Sequence, residues 1–395
     1  MDLIQELSAL RAIGACGKGV VRPAFTPDDV RARRWLSERM AAAGLAPVID
    51  PAGNVWGLGG PVLIGSHIDT QPEGGWLDGA YGVVAGLALA AEGAPVSVVA
   101  FQDEEGRFGA TTGSEVWSGA LTLAQADALT ALDGTAFAEA RRALPATGAA
   151  PPSARFAAYL EPHIEQGPVL DAAAEAVGVV TAIVGLRQVT VTMEGRQNHA
   201  GTTPMALRAD ALRGLVRAQG AIDAGLAPLV APESVWTIGH VDLHPNAPSA
   251  VPGRVRFTVQ WRDGAAARLD AMEAAIRAAL RDAAGPLALS VSETAALPPV
   301  AMDAGLRAAL RASAEAEAPG RWREMPSGAL HDATNVARLL PTAMLFVPSI
   351  DGVSHDFAED TAEADLRTGL AVLRRAVAAI APLPHPLATG ALRAP

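Results

Sequence analysis

The residue types that could do chemistry in this sequence are those that bind divalent metal ions around a shared carboxylate. The candidates are His67, Asp78, Glu105, His163 and His355. Imidazole and carboxylate ligands without thiolates suit zinc, manganese, cobalt or nickel. A carboxylate between two histidine-bearing loops can bridge two ions, and Asp78 is the candidate for that role. Two ions held in this way would support hydrolysis.

The adjacent pair Glu104-Glu105 supplies a candidate base for this chemistry. Neighbouring residues that leave a strand project differently, so one can bind a metal ion while the other faces the open coordination position. We assign Glu105 as the ligand and Glu104 as the general base. A divalent ion lowers the pKa of coordinated water from about 16 toward about 7, and a nearby carboxylate can pass the released proton to a leaving nitrogen. The expected reaction is hydrolysis of an amide-like bond.

Asp69 lies two residues after His67 and is expected to support it from outside the ligand set. Its carboxylate could accept a hydrogen bond from the second imidazole nitrogen, which would fix the tautomer of the ring. A single histidine is most often structural, and an acidic pair such as Glu104-Glu105 most often lies in a solvated turn, so neither alone indicates a metal site. The histidines interpreted as structural are His240, His244, His331 and His385. The candidate ligands differ because they follow short apolar or glycine-rich runs that are typical of buried strands.

Composition and charge limit the classes of protein that fit. A chain of 395 residues, 50% of them apolar, is long enough for two domains. The 42 acidic residues outnumber the 31 basic ones, and the arginines are dispersed, so we expect no nucleic-acid partner. The first seven residues lack the basic start and long apolar stretch of a signal peptide, and no run approaches the length of a membrane span. We therefore expect a cytoplasmic protein without a membrane partner.

Cysteine and lysine are almost missing from this chain. Cys16 is the only cysteine and Lys18 the only lysine, which excludes disulfides within the chain and all-thiolate metal sites. Serine amidases that use a catalytic lysine would have to use Lys18. Nitrilases that use cysteine, glutamate and lysine would have to use both Cys16 and Lys18. Neither class fits the sequence.

The elements that must position the candidate ligands follow the order of an α/β sheet. Residues 62–64 and 96–101 are predicted strands, and an alanine-rich helix over 82–91 separates them. A capped helix is predicted from Thr26 to Gly44. Residues 120–155 are alanine-rich with helical spacing, so we expect surface helices there.

A change of pattern near Gly185 indicates an inserted domain. Alternating residues at 189–193 predict a strand, followed by a helix over 203–221, strands at 235–240 and 255–261, and a helix over 265–284. After Pro298 come another helix, a strand at 342–347, a loop, and a closing helix over 362–380. We therefore expect a catalytic domain formed by residues 1–184 and 298–395, with an α+β insert over 185–297.

Taken together, these blocks resemble the dinuclear metal-dependent amidohydrolases that include N-carbamoyl-L-amino-acid hydrolase, β-ureidopropionase and allantoate amidohydrolase. This family belongs to the zinc aminopeptidase-like clan. The motifs that carry the likeness are residues 65–70, 75–82, 101–106, 163–170, 198–205, 327–332 and 352–355. The resemblance implies a zinc-peptidase-like α/β catalytic domain, with a mixed sheet flanked by helices. It also implies a ferredoxin-like inserted domain that dimerises and closes as a lid over the substrate.

The resemblance further implies how the two divalent ions are held. His67, Asp78 and His163 would bind one ion. Asp78, Glu105 and His355 would bind the other, with Glu104 as the general base. These assignments agree with the interpretation from side-chain chemistry.

By the same resemblance, His199 should polarise the scissile carbonyl and reach the site of the partner subunit. Arg262 should clamp the substrate carboxylate with its planar guanidinium, although it could also be an ordinary arginine on a strand surface. The further expected substrate contacts are Gln166, Ser249, Gln188 and Gly328.

Three positions depart from the pattern of the resembling family. Relatives usually carry asparagine, aspartate and glycine where this chain has Ser249, Gln260 and Leu330. By the resemblance, all three positions line the substrate pocket. The candidate metal ligands therefore match the family, whereas the substrate pocket differs from it.

The sequence thus predicts a homodimeric, metal-dependent amidohydrolase that acts on N-carbamoyl or related N-acyl or ureido amino acids. An aminoacylase or dipeptidase of the same clan would share every metal ligand and remains an alternative. A metal-binding or ligand-binding scaffold without turnover is a second alternative. Glu104 argues against the scaffold, because a base serves no purpose in binding alone.

Overall fold

The computed structural model describes residues 1–380. These residues form two compact units: the first comprises Met1–Thr181 and the chain from Met302, and the second is Ala182–Ala301. The second unit begins three residues before, and ends four residues after, the predicted insert of residues 185–297. The last part of the predicted catalytic domain, residues 381–395, lies outside the described range.

Helices account for much of both units. In chain order they are α1 (Leu3–Arg11), α2 (Pro27–Ala42), α3 (Ala80–Ala91), α4 (Thr112–Ser118), α5 (Leu123–Asp127), α6 (Phe137–Ala140), α7 (Val169–Ala172), α8 (Ala211–Leu226), α9 (Ala266–Ala284), α10 (Ala304–Glu317), α11 (Ala333–Val336) and α12 (Glu363–Ile380). None of these described helices combines the length and the apolar character needed to cross a lipid bilayer.

The strands range from isolated pairs of residues to ten-residue ladders. In chain order they are β1 (Ala15–Cys16), β2 (Gly19–Val20), β3 (Ala46–Ile49), β4 (Val55–Leu58), β5 (Val62–His67), β6 (Val96–Phe101), β7 (Ala158–Ile164), β8 (Val177–Ile183), β9 (Gly185–Glu194), β10 (Asn198–His199), β11 (Val235–His244), β12 (Ala250–Val251), β13 (Arg254–Asp263), β14 (Ala288–Leu297), β15 (Val300–Ala301), β16 (Trp322–Ser327) and β17 (Thr342–Val347).

The first unit is built on a mixed sheet. Its strands run in the order β8-β17-β7-β5-β6-β4-β3. The central strands β17, β7, β5 and β6 are parallel to one another, whereas β8, β4 and β3 pair antiparallel with their neighbours. Every residue of the four parallel strands is buried, as expected for strands covered on both faces. The predicted fold class, a mixed sheet flanked by helices, is confirmed.

Helix α3 is the central helix of this unit. It packs against β5, β6 and β7, and it also contacts α1, α2 and α12. Its sequence lacks charged residues, and all but its last residue are buried, because it is surrounded by other elements on nearly every side. Its first residue follows Asp78 and Gly79, so the buried helix fixes the position of the central candidate ligand.

The second unit has the strand and helix order β9-α8-β11-β13-α9-β14. Its four-stranded antiparallel sheet has the order β11-β13-β9-β14, which is the ferredoxin-like arrangement. One face of the sheet carries the core, in which Val191 and Phe257 join Ile222 of α8 and Met272 and Ile276 of α9. The opposite face presents the polar side chains of the same strands.

Two predicted helical segments differ from the observed ones. The helix expected over residues 203–221 begins at Ala211 and ends at Leu226, because the Asp210 carboxylate accepts the backbone N–H of Arg213 and caps it there. Residues 120–155 contain only the short helices α5 and α6 and two 3₁₀ turns. Alanine-rich spacing alone is a weak signal, because a helix also needs an apolar face that packs.

Candidate metal centre

The candidate ligands lie at one edge of the central sheet. His67 ends β5, and His163 is the penultimate residue of β7. Glu104 and Glu105 lie three and four residues after the end of β6. His355 lies in the loop that follows β17. Because the carboxyl ends of parallel strands meet at the same edge, residues far apart in sequence are brought together there.

The first group of ligands, here called the inner triad, comprises His67, Asp78 and His163, whose ligand atoms all lie within 4.8 Å of one another. Asp78 Oδ1 is 3.1 Å from His163 Nε2 and 3.7 Å from His67 Nε2. All three side chains are buried. Apart from these two imidazoles, no group in the described part of the chain donates a hydrogen bond to this Oδ1. A buried carboxylate oxygen facing two imidazole nitrogens fits a cation site.

Backbone carbonyls set the tautomer of both imidazoles. His67 Nδ1 lies 3.0 Å from the carbonyl oxygen of Asp69, and His163 Nδ1 lies 2.9 Å from that of Ile164. In the neutral form of each ring, Nδ1–H donates to a carbonyl, which leaves the lone pair of Nε2 facing Asp78. The prediction for Asp69 differs in the acceptor atom: the backbone oxygen accepts from His67, not the carboxylate.

Gly79 allows the two imidazoles to approach the start of α3. Its φ is +63°, and a Cβ built there would lie 2.4 Å from His67 Nε2. Its backbone N–H donates to His163 Nε2 at 3.2 Å. A larger residue at this position would both strain the backbone and displace the ring, so glycine is required.

The second group, the outer triad, comprises Asp78, Glu105 and His355, again with ligand atoms within 4.8 Å of one another. His355 Nε2 is 3.2 Å from Asp78 Oδ2 and 3.4 Å from Glu105 Oε2. The His355 side chain is 46% exposed, so the outer triad is more open to solvent than the inner one. The two triads share Asp78 through different oxygens, which is the arrangement a bridging carboxylate needs.

Glu104 lies beside the inner triad without belonging to either group. Its Oε2 is 3.7 Å from His67 Nε2, and its side chain is 9% exposed. Burial, followed by the carboxylates of Asp332 and Glu105, raises the pKa of Glu104 well above its usual range. Cations at the neighbouring triads would favour the ionised form, which is the form that accepts a proton.

The histidines of the centre carry unusual proton affinities. Burial opposes charge on His163, yet its hydrogen bond to Asp78 and the charge of that carboxylate raise its pKa to about 9. The hydrogen bond to Asp78 likewise raises the pKa of His355 to about 9. Burial lowers the pKa of His67 to about 4. Without ions, protons on His163 and His355 thus balance part of the acidic charge.

Metal uptake should therefore release protons. Because the pKa values of His163 and His355 are raised to about 9 and both rings must be neutral to bind a cation, the affinity for divalent ions should rise with pH and level off above about 9. Calorimetric titration with Zn²⁺ in buffers of different ionisation enthalpy measures this release directly. Observed heats that do not depend on the buffer at pH 7 would contradict the prediction.

Glu359 supports the centre and was not predicted from the sequence. Its Oε1 accepts the backbone N–H groups of Leu77 and Asp78, each at 3.1 Å, and its Oε2 accepts the Ser354 hydroxyl at 3.0 Å. One carboxylate therefore joins the loop that carries Asp78 to the loop that carries His355. No local sequence signal marks a contact between residues that are so far apart along the chain.

Arg33 of α2 is a second supporting residue that the sequence did not indicate. Its fully buried guanidinium binds Asp29 at 2.9 Å and Asp69 at 3.3 Å. It also donates to the carbonyl oxygens of Ala100 and Phe101, at 3.1 and 2.9 Å. The Asp69 carboxylate additionally accepts the backbone N–H of Glu105 at 3.2 Å. Arg33 thus positions the loop after β6 through Asp69.

Replacing Arg33 with leucine should destabilise the protein strongly. Removing one partner of a buried ion pair leaves Asp29 and Asp69 uncompensated, which costs about 3–5 kcal/mol in the free energy of unfolding. Arg31→Leu is the matched control, since that side chain lies on the same helix but is 65% exposed. It should change the free energy by no more than about 1 kcal/mol. Equal denaturant midpoints for the two variants would be incompatible with this role.

The predicted substrate contacts are divided between the two units. Gly328 follows β16 in the first unit and is exposed, and so is Leu330. Gln166 also belongs to the first unit, but its amide faces the metal centre: Nε2 is 3.0 Å from Asp78 Oδ2 and 3.3 Å from His355 Nε2.

In the second unit, Arg262, Gln260 and Gln188 form one hydrogen-bonded row. Arg262 Nε donates to Gln260 Oε1 at 3.2 Å, and Gln260 Nε2 donates to Gln188 Oε1 at 3.0 Å. Gln188 and Gln260 are direct partners on neighbouring strands. Ser249 lies outside this row. Its carbonyl accepts the backbone N–H of Ala200, which places it beside the segment that carries His199.

His199 is exposed, and its tautomer is fixed by its own loop. Nδ1 accepts the backbone N–H groups of Gly201 and Thr202, each at 3.1 Å. Because Nδ1 is an acceptor, the proton of the neutral ring is on Nε2, which points away from these contacts as a donor. A donor of this kind is suited to binding a carbonyl oxygen.

The histidines interpreted as structural belong to neither triad. His240 and His244 are exposed on β11 in the second unit. His331 is buried, and its Nε2 is 2.8 Å from the Ser327 hydroxyl. His385 lies outside the described residues.

This architecture and site identify the class of the protein. The sequence pattern of peptidase family M20/M25/M40 matches residues 63–379. The chain therefore belongs to this family and is a hydrolase.

Relatives of this chain include amidohydrolases. Allantoate amidohydrolase of Escherichia coli (strain K12) is 36% identical over 378 residues, covering 90% of this chain and 91% of that protein. N-carbamoyl-L-amino-acid amidohydrolase of Paenarthrobacter aurescens is 33% identical over 400 aligned positions, covering 95% and 97%. The crystal structure of an amidase of the hydantoinase/carbamoylase family from Burkholderia phymatum matches with a TM-score of 0.90 at 42% identity, covering 96% of each chain. The resemblance inferred from the motifs is confirmed.

Proposed function

We propose that this protein is a cytoplasmic, homodimeric amidohydrolase that cleaves the carbamoyl or related amide C–N bond of an N-substituted amino acid. The observation that carries the proposal is the pair of triads that share Asp78, with Glu104 beside them. The names of the relatives support the substrate class, because they hydrolyse N-carbamoyl amino acids and allantoate.

The donor set fits two divalent cations per subunit. His67, Asp78 and His163 would hold the first, and Asp78, Glu105 and His355 the second. Three imidazoles and two carboxylates without thiolates suit zinc, with manganese, cobalt or nickel as alternatives. When bound, such ions polarise a carbonyl group and make a coordinated water acidic.

Glu104 would accept the proton of the attacking water and deliver it to the nitrogen of the bond that breaks. The carbonyl carbon gains the oxygen of the water, and the amine leaves as a neutral group. With a carbamoyl substrate, the remaining fragment gives carbon dioxide and ammonia. The buried position of Glu104 keeps its proton transfers away from bulk solvent.

Residues of the second unit would bind and orient the substrate. His199 presents an Nε2–H donor that suits the scissile carbonyl oxygen, and we propose that it serves the partner subunit's site in the dimer. Arg262 would clamp the substrate carboxylate through its planar guanidinium. Further proposed contacts are Gln188 and Ser249 of the same unit, and Gln166 and Gly328 of the first unit.

A substrate panel tests this function. We expect turnover of N-carbamoyl amino acids or allantoate to exceed that of N-acetyl, N-formyl and dipeptide substrates, on protein reconstituted separately with zinc, manganese and cobalt. Preference for N-acetyl substrates or dipeptides would instead assign an aminoacylase or dipeptidase. The absence of turnover on the whole panel with every metal would leave only a binding role.

A further inference from the structure

The side-chain amide of Gln166 contacts two of the three ligand residues of the outer triad, Asp78 and His355. Its Nε2 lies 3.0 Å from Asp78 Oδ2, 3.3 Å from His355 Nε2 and 3.3 Å from the Ser354 hydroxyl. An ionised carboxylate can only accept hydrogen bonds, so the contact with Asp78 fixes which end of the amide faces inward. The NH₂ group, which cannot bind a cation, therefore points at the outer triad.

The backbone holds this arrangement in an uncommon conformation. Gln166 has φ +58° and His355 has φ +56°, values that residues other than glycine rarely adopt. The backbone N–H of Gln166 donates to the Ser349 hydroxyl at 3.0 Å, which stabilises the turn. Two strained residues whose side chains meet at one carboxylate indicate a functional arrangement.

From these contacts we infer that Gln166 is an internal competitor of the second metal ion. The NH₂ group carries partial positive charge and donates to the oxygen that would bind the cation. Its amide must therefore turn away from Asp78 Oδ2 before the outer triad can close around an ion. This inference rests on the proposed two-ion centre.

The inner triad has no comparable side-chain competitor in the described residues. Apart from the rings of His67 and His163, no group there donates to Asp78 Oδ1. The only other donor to a ligand atom of this triad is the backbone N–H of Gly79, 3.2 Å from His163 Nε2. The same carboxylate thus has one oxygen, Oδ1, that no side-chain amide contacts and one oxygen, Oδ2, to which the Gln166 amide already donates. The first ion should bind at Oδ1, and the second should bind more weakly because it must displace the amide.

The competition also links ion binding to the substrate contact proposed for Gln166. While the amide donates to Asp78, its hydrogen atoms are used within the protein. Once a second ion displaces it, the same NH₂ group becomes free to donate to a carbonyl or ureido oxygen of the substrate. Filling of the outer triad would therefore complete the substrate site as well.

Gln71 provides a matched comparison within the outer triad. Its Nε2 donates to Glu105 Oε2 at 2.9 Å and to the carbonyl oxygen of Glu105 at 3.0 Å. Gln71 contacts only one ligand residue, Glu105, and its amide bridges the carboxylate and the backbone carbonyl of that residue. Such a contact orients the ligand for the ion, so its loss should weaken metal binding, whereas loss of the Gln166 amide should strengthen it.

Titration of the metal-free full chain with Co²⁺, followed by calorimetry and visible absorption, tests the inference. A hydrogen bond to a charged group corresponds to roughly 10–100-fold in an equilibrium constant. Gln166→Ala should therefore tighten the weaker Co²⁺ binding step by about 10-fold or more and leave the stronger step unchanged. Gln166→Glu, which replaces the donor with a ligand oxygen, should tighten the weaker step further. Gln71→Ala should weaken that step by about 10–100-fold.

The stoichiometry separates the possible failures. If both Gln166 variants bind two Co²⁺ ions per chain, with the weaker step unchanged or weakened, Gln166 is not a competitor and the inference is overturned while the two-ion centre stands. If the wild type and every variant bind a single ion, the two-ion centre itself is refuted, and the competition with it.

Discussion

Glutamine in place of Glu104 should reduce turnover by about 10²–10⁴-fold while both metal ions remain bound. The substitution keeps the size of the side chain and removes only its ability to accept a proton. Because Glu104 belongs to neither triad, the loss should appear in kcat with little change in metal content. Steady-state kinetics combined with metal analysis of the same preparation measures both quantities.

Two controls isolate the role of this carboxylate. Glu139→Gln makes the same chemical change on the exposed face of the short helix α6 and should leave turnover unchanged. Glu104→Asp retains a carboxylate at a shorter reach and should recover part of the lost rate. Wild-type turnover by Glu104→Gln with its metal content intact would refute the proposed base.

Asparagine in place of Asp78 should remove both ions at once. Asp78 is the only residue common to the two triads, with Oδ1 facing His67 and His163 and Oδ2 facing His355. The buried charge of Asp78 is balanced by its partners in both triads. The neutral amide of asparagine carries no charge and cannot replace this interaction with the imidazoles and cations. A loss of several kcal/mol of electrostatic stabilisation corresponds to a fall in turnover of about 10³-fold or more.

His355→Ala is the informative comparison for this variant. It removes one ligand of the outer triad and leaves the inner triad complete, so we expect one bound ion per chain instead of none. Metal analysis after dialysis should therefore rank wild type, His355→Ala and Asp78→Asn in descending order. Retention of two ions by Asp78→Asn would show that this carboxylate does not bridge them.

Much of the fold could be predicted because its signals are local. The strands predicted at residues 62–64, 96–101 and 342–347 lie in β5, β6 and β17, because short, buried, largely apolar runs stand out from the surrounding helices. Helix α2 begins and ends where its Thr26 cap and Gly44 predict. Several strands of four or more residues were not predicted, because their pattern is set by neighbours that the sequence does not reveal. They are β3, β4, β7, β8, β14 and β16.

The candidate ligands could be predicted for a similar reason. His67 ends β5 and Glu105 follows β6 by four residues, and parallel strands place such ends together. Asp78 lies just before α3 and His355 lies in the loop after β17, so their residue types and the family motifs indicated them. The residues that support them gave no comparable signal. Arg33 and Glu359 look like ordinary charged residues of a helix and a loop, and only the folded chain brings them to Asp69 and Asp78.

The sequence by itself determined the chemical types that could form the centre and the strands that end beside it, because both are properties of short segments. Tertiary structure alone decided which oxygen of Asp78 faces which imidazole, that backbone carbonyls fix the histidine tautomers, and that the Gln166 amide occupies the outer triad. These features depend on distances of a few ångströms between residues far apart along the chain. Such distances arise only when the buried sheet and its helices pack together.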